Sequence, residues 1–255
     1  MRGGASSPPA TGFVDLHSHF VPDIDDGVRT ALEARALVVG LRRIGFTHVV
    51  ATPHMRPGMF DNDAHALRTA FDAVIDTLAA DADAPSLGLA CEHFFDDTVF
   101  ARLVKHEGIP YAAVTPTQRR QSVLVELPPH AFPVRLAERM FDLGRARLRP
   151  VIAHPERYQP VWHDDRCLDP LIDAGACLLL DVCALVGKYG EAPERAALAL
   201  VKSRAYEAAC SDAHRPDDVE ITAQAILVLR KVAGDAEAER LLGAGPRAIL
   251  AGSSS

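Results

Sequence analysis

The chain has 255 residues, 48% hydrophobic and 24% charged, enough apolar material to bury a full core without disulfides or a partner. Its 27 Lys and Arg against 34 Asp and Glu leave a net charge of −7, which gives no footprint for nucleic acid or an anionic membrane surface. No apolar run approaches the roughly 18 to 20 residues of a membrane-spanning helix, so no direct membrane insertion is expected. Residues 1–12, a Gly/Ser/Pro mixture with one Arg and no signal-peptide core, read as a disordered leader to a cytoplasmic protein. Cys91, Cys167, Cys177, Cys183 and Cys210 are odd in number, widely spaced and form no C-x-x-C, which argues against a disulfide framework or a zinc ribbon.

From residue 13 onward, short β-branched or apolar runs alternate with segments of helical period, the pattern of a parallel sheet with crossover helices. Strands are expected at 13–17, 48–51, 87–90, 122–127, 150–153, 177–182 and 205–210, mostly continuous apolar runs, as when both faces are covered. Thr30 and Glu33 form a capping box ahead of Leu37, Leu41 and Ile44, and Gly45 closes that helix. A second helix is expected to start at Asp61 and to bury Leu67, Phe71, Val74 and Leu78. Later helices carry Leu136, Met140 and Leu143 up to Gly144, then Leu168, Leu171 and Ile172 up to Gly175. Pro193 sits in the first turn of another, and Ile221, Ala225, Val228 and Leu229 mark the last long one. The stretch 108–121 is the least regular interior segment and reads as a loop. Nothing divides the chain into two domains, and seven β/α units suit either a barrel or an open doubly wound sheet.

The chemistry-bearing residues collect at the carboxyl ends of these strands. The first ends in Asp15-Leu16-His17-Ser18-His19, the second in Thr52-Pro53-His54, the third in Cys91-Glu92-His93 and the fourth in Val125-Glu126-Leu127. The fifth ends in His154-Pro155-Glu156-Arg157 and the seventh in Ser211-Asp212-Ala213-His214-Arg215. In a parallel fold these ends share one mouth, where such folds hold their active sites. An H-x-H pair on a strand aims both imidazoles to one side, which suits two ligands of one metal, although alone it is a weak signal. Buried carboxylates and imidazoles at several strand ends lose solvation unless a cation pairs them. Asp15 is open to two roles, ligand or orienting partner of a ligand. Asp23, Asp25 and Asp26 are equally a solvated acidic turn. His93 faces away from Glu92 and is left out, and His48, His65, His106, His130 and His163 suit surface or loop roles. No Cys begins a C-x5-R loop, and no phosphate-cradling glycine loop follows a strand, so thiol chemistry and nucleotide binding are disfavoured. Nitrogen and oxygen ligands without Cys favour Mn, Fe or Zn.

The segments from Asp15 to His19, Asp25-Asp26-Gly27, Ala51-Thr52-Pro53-His54, Ile152 to Arg157, Ser211 to His214 and Gly245 to Leu250 together resemble the PHP (polymerase and histidinol phosphatase) superfamily. Within it, they are most similar to the bacterial capsule and exopolysaccharide protein-tyrosine phosphatases. The resemblance implies a distorted (β/α)7 TIM-like barrel, the PHP fold, with residues 13–252 as a single catalytic domain. It also implies three divalent metal ions, Mn²⁺ foremost and Fe or Zn as alternatives. His17, His19, Glu92 and Asp212 would hold the first, and Glu92 would bridge to a second completed by Glu126 and His154. Asp26, His54 and His214 would hold the third. The implied reaction is hydrolysis of phosphotyrosine by a metal-bound hydroxide. Arg157 and Arg215 are suited to fork onto phosphate oxygens, and Arg215 equally to a structural ion pair. The implied partner is the phosphotyrosine tail of a membrane-associated tyrosine kinase, and the loop Met55 to Phe60 resembles the stretch beside the substrate entrance. Three alternatives remain: a small-molecule phosphatase of the histidinol-phosphate type, another metal-dependent hydrolase, and a regulatory protein with a structural metal cluster. The sequence leaves the oligomeric state open.

Overall fold

The computed structural model describes residues 10–111 and 120–252. Among these described residues nine strands form in chain order: β1 (Phe13–Ser18), β2 (Phe46–Ala51), β3 (His54–Met55), β4 (Ser86–Leu89), β5 (Glu92–Phe94), β6 (Gln121–Glu126), β7 (Leu148–Ala153), β8 (Cys177–Asp181) and β9 (Ala208–Cys210). All ladders are parallel, and they fall into a sheet ordered β1-β2-β4 and a sheet ordered β3-β5-β6-β7-β8-β9. The two sheets are one ring of seven strand units, because β2 runs on into β3 and β4 into β5. Pro53, which has no N–H to give, interrupts the first of these, and Ala90-Cys91 the second. Ala90 N–H to Ala51 O at 2.8 Å and Glu92 N–H to Pro53 O at 3.2 Å carry the pairing across both breaks. The ring closes through a single bridge between Ser18 and Ala213, flanked by Asp212 N–H to His17 O (3.0 Å) and His19 N–H to Ala213 O (2.9 Å). The result is a distorted (β/α)7 barrel whose seam is one bridge wide.

Period two in the strands divides the core. Val14, Leu16, Val50, Leu124, Val151, Leu179 and Ala208 fill the barrel interior, and Tyr111, Ile249 and Leu250 join the same cluster. Their neighbours Phe13, Phe46, Val49, Val123, Val125, Ile152, Leu178 and Leu180 meet the surrounding helices in the larger outer core. Those helices are α1 (Ala31–Arg43), α2 (Ala64–Ala79), α3 (Asp97–Val104), α4 (Leu136–Arg145), α5 (Gln159–His163), α6 (Asp169–Asp173), α7 (Glu191–Lys202), α8 (Asp218–Ala233), α9 (Asp235–Glu239) and α10 (Gly245–Ala251).

The Thr30–Glu33 capping box opens α1, and Gly45 follows at φ +114°. Helix α2 starts later than expected. Asp63 caps it by accepting from His65 and Ala66 N–H, whereas Asp61 accepts from Gly58 N–H. Helix α4 runs through Gly144 to Arg145, and the last strand begins at Ala208 rather than Ala205. The strands β3 and β5 were not expected. Nor was the burial of His48, whose Nδ1 lies 2.8 Å from Ser86 Oγ between β2 and β4; His65, His106, His130 and His163 are exposed. The leader over 1–12 falls mostly, and the irregular stretch 108–121 largely, outside the described residues. No helix among the described residues is long and apolar enough to cross a membrane.

Candidate active site

The parity that fills the barrel also builds its rim. Ala90, Leu124, Leu179 and Cys210 point inward, and two residues further on come Glu92, Glu126, Asp181 and Asp212, an acidic layer over the apolar one. Beyond β7 and β9, His154 and Asp212 take left-handed backbone, φ 34° and 45°, uncommon for residues with a Cβ. His154 N–H donates to Leu179 O at 2.9 Å and helps hold this turn over the mouth.

Glu92 is the hub. Its Oε2 lies 3.1 Å from His17 Nε2, 3.5 Å from His19 Nε2 and 3.1 Å from His54 Nδ1, and its Oε1 lies 3.0 Å from His154 Nε2. Asp212 Oδ1 approaches the same first two imidazoles, at 3.2 Å from His17 Nε2 and 3.5 Å from His19 Nε2. His17 Nε2 and His19 Nε2 face each other at 3.2 Å. Asp26 Oδ1 stands 3.5 Å from both His54 Nε2 and His214 Nε2, and the His214 ring stacks on His19 with centroids 4.0 Å apart. Glu126 Oε2 is 3.9 Å from His54 Nδ1.

Among the described residues four groups able to hold a metal result: His17, His19 and Asp212; His17, Glu92 and His154; His54, Glu92 and Glu126; and His19, Asp26, His54 and His214. The grouping differs from expectation in two ways. Glu92 stands with His154 beside His17 and with Glu126 beside His54, so it is the residue these two groups share, and His19 joins the set of Asp26, His54 and His214.

The donors fit a cation better than one another. Ligand atoms about 2.1 Å from one divalent ion stand roughly 3.0 to 3.4 Å apart, close to the spacings among His17, His19, Glu92 and Asp212. Asp212 Oδ1, Glu126 Oε2 and His54 Nδ1 are buried without a hydrogen-bond partner, although His54 Nδ1 is only 3.1 Å from a Glu92 oxygen. Near approach without hydrogen-bond geometry is what two ligands of one ion show. Burial opposes the charge on Glu92 and Asp212, but His17 and the other imidazoles outweigh it and hold both carboxyls well below the usual range. Burial likewise opposes the charged rings of His17 and His19, yet Asp212 and Glu92 raise the first and Asp25 the second. Burial and the Glu92 charge push Glu126 up to about 7, and burial and Arg157 push His154 down to about 4.

Several neighbours aim these ligands. Asp25 Oδ2 takes the His19 Nδ1 proton at 2.8 Å and the His54 backbone N–H at 3.1 Å, leaving His19 Nε2 for the cluster. Asp15 accepts from Ser211 Oγ (2.5 Å), Ser211 N–H (3.0 Å) and His17 N–H (3.3 Å), so it ties β1 to the chain after β9. His93 bonds Leu124 O through Nδ1 and Ile109 N–H through Nε2, away from the cluster.

Arg157 Nη1 donates to Asp212 Oδ2 at 2.6 Å, with its guanidinium 4.4 Å above the Tyr189 ring and 3.9 Å from Asp181 Oδ2. Arg215 is different: its side chain is exposed and only its backbone N–H is held, by Asp218 at 3.0 Å. Asp181 and Tyr189 went unnoticed in the sequence. Asp181 ends β8 in the same parity as Glu126 and Asp212, a signal that was there to read. Arg56 lies in the Met55 to Phe60 loop expected beside the substrate entrance, and it reaches Glu126 Oε2 at 3.9 Å.

The family profile described as capsular polysaccharide synthesis, CpsB/CapC, matches residues 13–251. The chain is 27% identical over 223 residues to the tyrosine-protein phosphatase YwqE of Bacillus subtilis, covering 87% of this chain and 85% of that one. It is 26% identical over 201 residues to the putative tyrosine-protein phosphatase CapC of Staphylococcus aureus, covering 79% and 76%. A solved structure from work on YwqE and Streptococcus pneumoniae CpsB, described as unique metal-dependent tyrosine phosphatases, superposes with a TM-score of 0.81 at 25% identity, over 94% of this chain and 95% of that one. A phosphotriesterase homology protein from Escherichia coli shares the fold alone, with a TM-score of 0.58 at 14% identity over 95% and 99%. With the profile spanning nearly the whole barrel, the chain belongs to the CpsB/CapC family.

Proposed function

We propose that this chain is a metal-dependent protein-tyrosine phosphatase, with residues 13–252 acting as one catalytic domain. Its substrate on this reading is a phosphotyrosine in the tail of a membrane-associated tyrosine kinase, met in the cytoplasm. The observation that carries the reading is the convergence of His17, His19, His54 and His154 on the buried Glu92, with Asp212 facing the first two imidazoles and Arg157 bonded to Asp212. Three divalent ions, Mn²⁺ first, would be held: one by His17, His19, Glu92 and Asp212, one by Glu92 with His154 and Glu126, and one by Asp26, His54 and His214. When bound, such ions supply Lewis acidity to the attacking water and to the phosphoryl oxygens.

The remaining work falls to the chain. Arg157, braced by Tyr189 and Asp181, offers N–H donors to the phosphate and holds it in register with the cluster. Asp25 keeps the His19 proton on Nδ1, so Nε2 stays an acceptor. Burial holds the thiols of Cys91 and Cys210, which stand next to the ligand-bearing strand ends, well above the ordinary range, and this favours direct attack by water over a cysteinyl intermediate.

Phosphate release from a phosphotyrosyl peptide and from histidinol phosphate, by metal-stripped and Mn²⁺-reloaded protein, tests the proposal. Metal-dependent turnover of the peptide is expected. Asp212→Asn should reduce it by more than the 10- to 100-fold that loss of an orienting partner costs (order of magnitude). Preference for histidinol phosphate would replace the substrate, and reloaded protein inert on both would overturn the reading.

A further inference from the structure

The chain leaves β3 through a tight turn that carries two unlike side chains back to the mouth. Phe60 N–H donates to Arg56 O at 2.8 Å, Arg56 N–H to Phe60 O at 3.1 Å and Met59 N–H to Arg56 O at 3.1 Å. Gly58 supplies the left-handed residue, φ +84°, and its N–H is taken by Asp61 at 2.7 Å. Asn62 Nδ2 ties the base of the turn to His54 O and Ile24 O, each at 3.0 Å. The turn is therefore formed before any ligand arrives, and little ordering entropy remains to be lost on binding.

Its ends touch two candidate ligands. The half-buried Phe60 ring lies parallel to His54, with centroids 5.2 Å apart and planes 9° from each other. Arg56 lays its guanidinium 4.0 Å over the Phe94 ring and holds Nη1 3.9 Å from Glu126 Oε2. A phosphoryl group seated at the cluster thus has an aromatic wall on one side and a ring-supported cation on the other. Resting on the phosphatase reading, we propose that this turn makes the site selective for aryl over alkyl phosphates, Phe60 receiving the phenyl ring of the substrate and Arg56 adding charge attraction for the phosphate. A phenyl ring carries its apolar edge and face directly behind the ester oxygen, and Phe60, stacked on His54, offers such a ring a flat apolar partner. An alkyl ester such as phosphoserine brings its polar backbone to that place instead, against a ring that offers it no hydrogen bond.

Phenylphosphonate and methylphosphonate, which have no hydrolysable ester bond, separate ring recognition from chemistry. Calorimetric titration of Mn²⁺-loaded protein should give a preference for phenylphosphonate of about tenfold. Phe60→Leu and Phe60→Met should each cut that preference to about threefold or less, with methylphosphonate affinity and bound Mn²⁺ little altered. Arg56→Gln should weaken both phosphonates by a common factor. Equal affinity for the two ligands in the wild type, or a preference that survives both Phe60 variants, overturns the inference. So does a Phe60 variant that loses Mn²⁺ and both ligands together, since the ring would then serve only to hold His54. Phosphotyrosyl-peptide turnover, measured alongside, keeps the two readings apart. Turnover without ring preference sinks this inference alone, and ring preference without turnover sinks the phosphatase reading.

Discussion

Asp25 and Asp26 are adjacent in the sequence and have different work. Asp26 faces His54 and His214 from a half-exposed position, while Asp25 is buried behind His19, bonded to its Nδ1, to Gly27 N–H at 2.9 Å and to His54 N–H. Asp25→Ala frees the His19 ring to rotate and leaves the His54 N–H unpaired, so Mn²⁺ affinity should fall about 10- to 100-fold. Metal titration of the purified variant checks this, and an unchanged affinity would mean that packing alone sets the His19 ring. Strand-end ligands such as His17, Glu92 and Asp212 were legible because position on a strand fixes direction. Asp25 was not, since in a loop a short acidic run has no period to say which carboxylate turns inward. Tyr189 was hidden for a related reason, since it meets the site across a tertiary contact with Arg157, and for Arg56 only the loop was legible, not its contact with Glu126.

Among elements, the long strands and helices were readable and the short ones were not. Strands of five or six residues, such as β6 and β8, carry short apolar runs, Val123 to Val125 and Cys177 to Leu180, and β1 alternates apolar Val14 and Leu16 with Asp15 and His17. The two residues of β3 and three of β5 hold no period at all and exist because β2 and β4 are already paired beneath them. The start of α2 was misplaced because Asp61 and Asp63 are equally good caps on paper, and only the Gly58 turn commits Asp61 elsewhere. One contact between elements decides the shape of the rim. Tyr158 Oη donates to Ala153 O at 2.7 Å and accepts Leu127 N–H at 2.9 Å, which stitches the end of β7 to the end of β6. Tyr158→Phe strands a buried carbonyl and a buried N–H and should cost about 1 to 3 kcal/mol. Denaturant unfolding should show a lower midpoint at the same slope, whereas an unmoved midpoint would mean that water replaces the hydroxyl.

At the scale of the molecule, the candidate metal cluster and the weakest part of the barrel coincide. One bridge, Ser18 to Ala213, closes the ring, and His17 and His19 stand on one side of it with Asp212 and His214 on the other. An ion held across that seam acts as a clasp. Saturation at about a thousand times Kd contributes about 4 kcal/mol, or about 10 °C in Tm for a domain of this size. The increment should depend on pH, and its sign follows from the imidazoles. In the metal-free protein Asp212, Glu92 and Asp25 outweigh burial and raise His17 and His19, so their protonated forms stabilise the fold at low pH. That contribution is complete below the ordinary imidazole range and is lost as pH rises through the raised values. A metal ion replaces those protons and binds only the neutral rings. The gap in Tm between Mn²⁺-loaded and stripped protein should therefore widen from pH 6 to pH 8, and hydrogen exchange at the amides of His19 and Asp212 should accelerate on stripping. A gap that is flat across this range would place the ions away from the seam histidines.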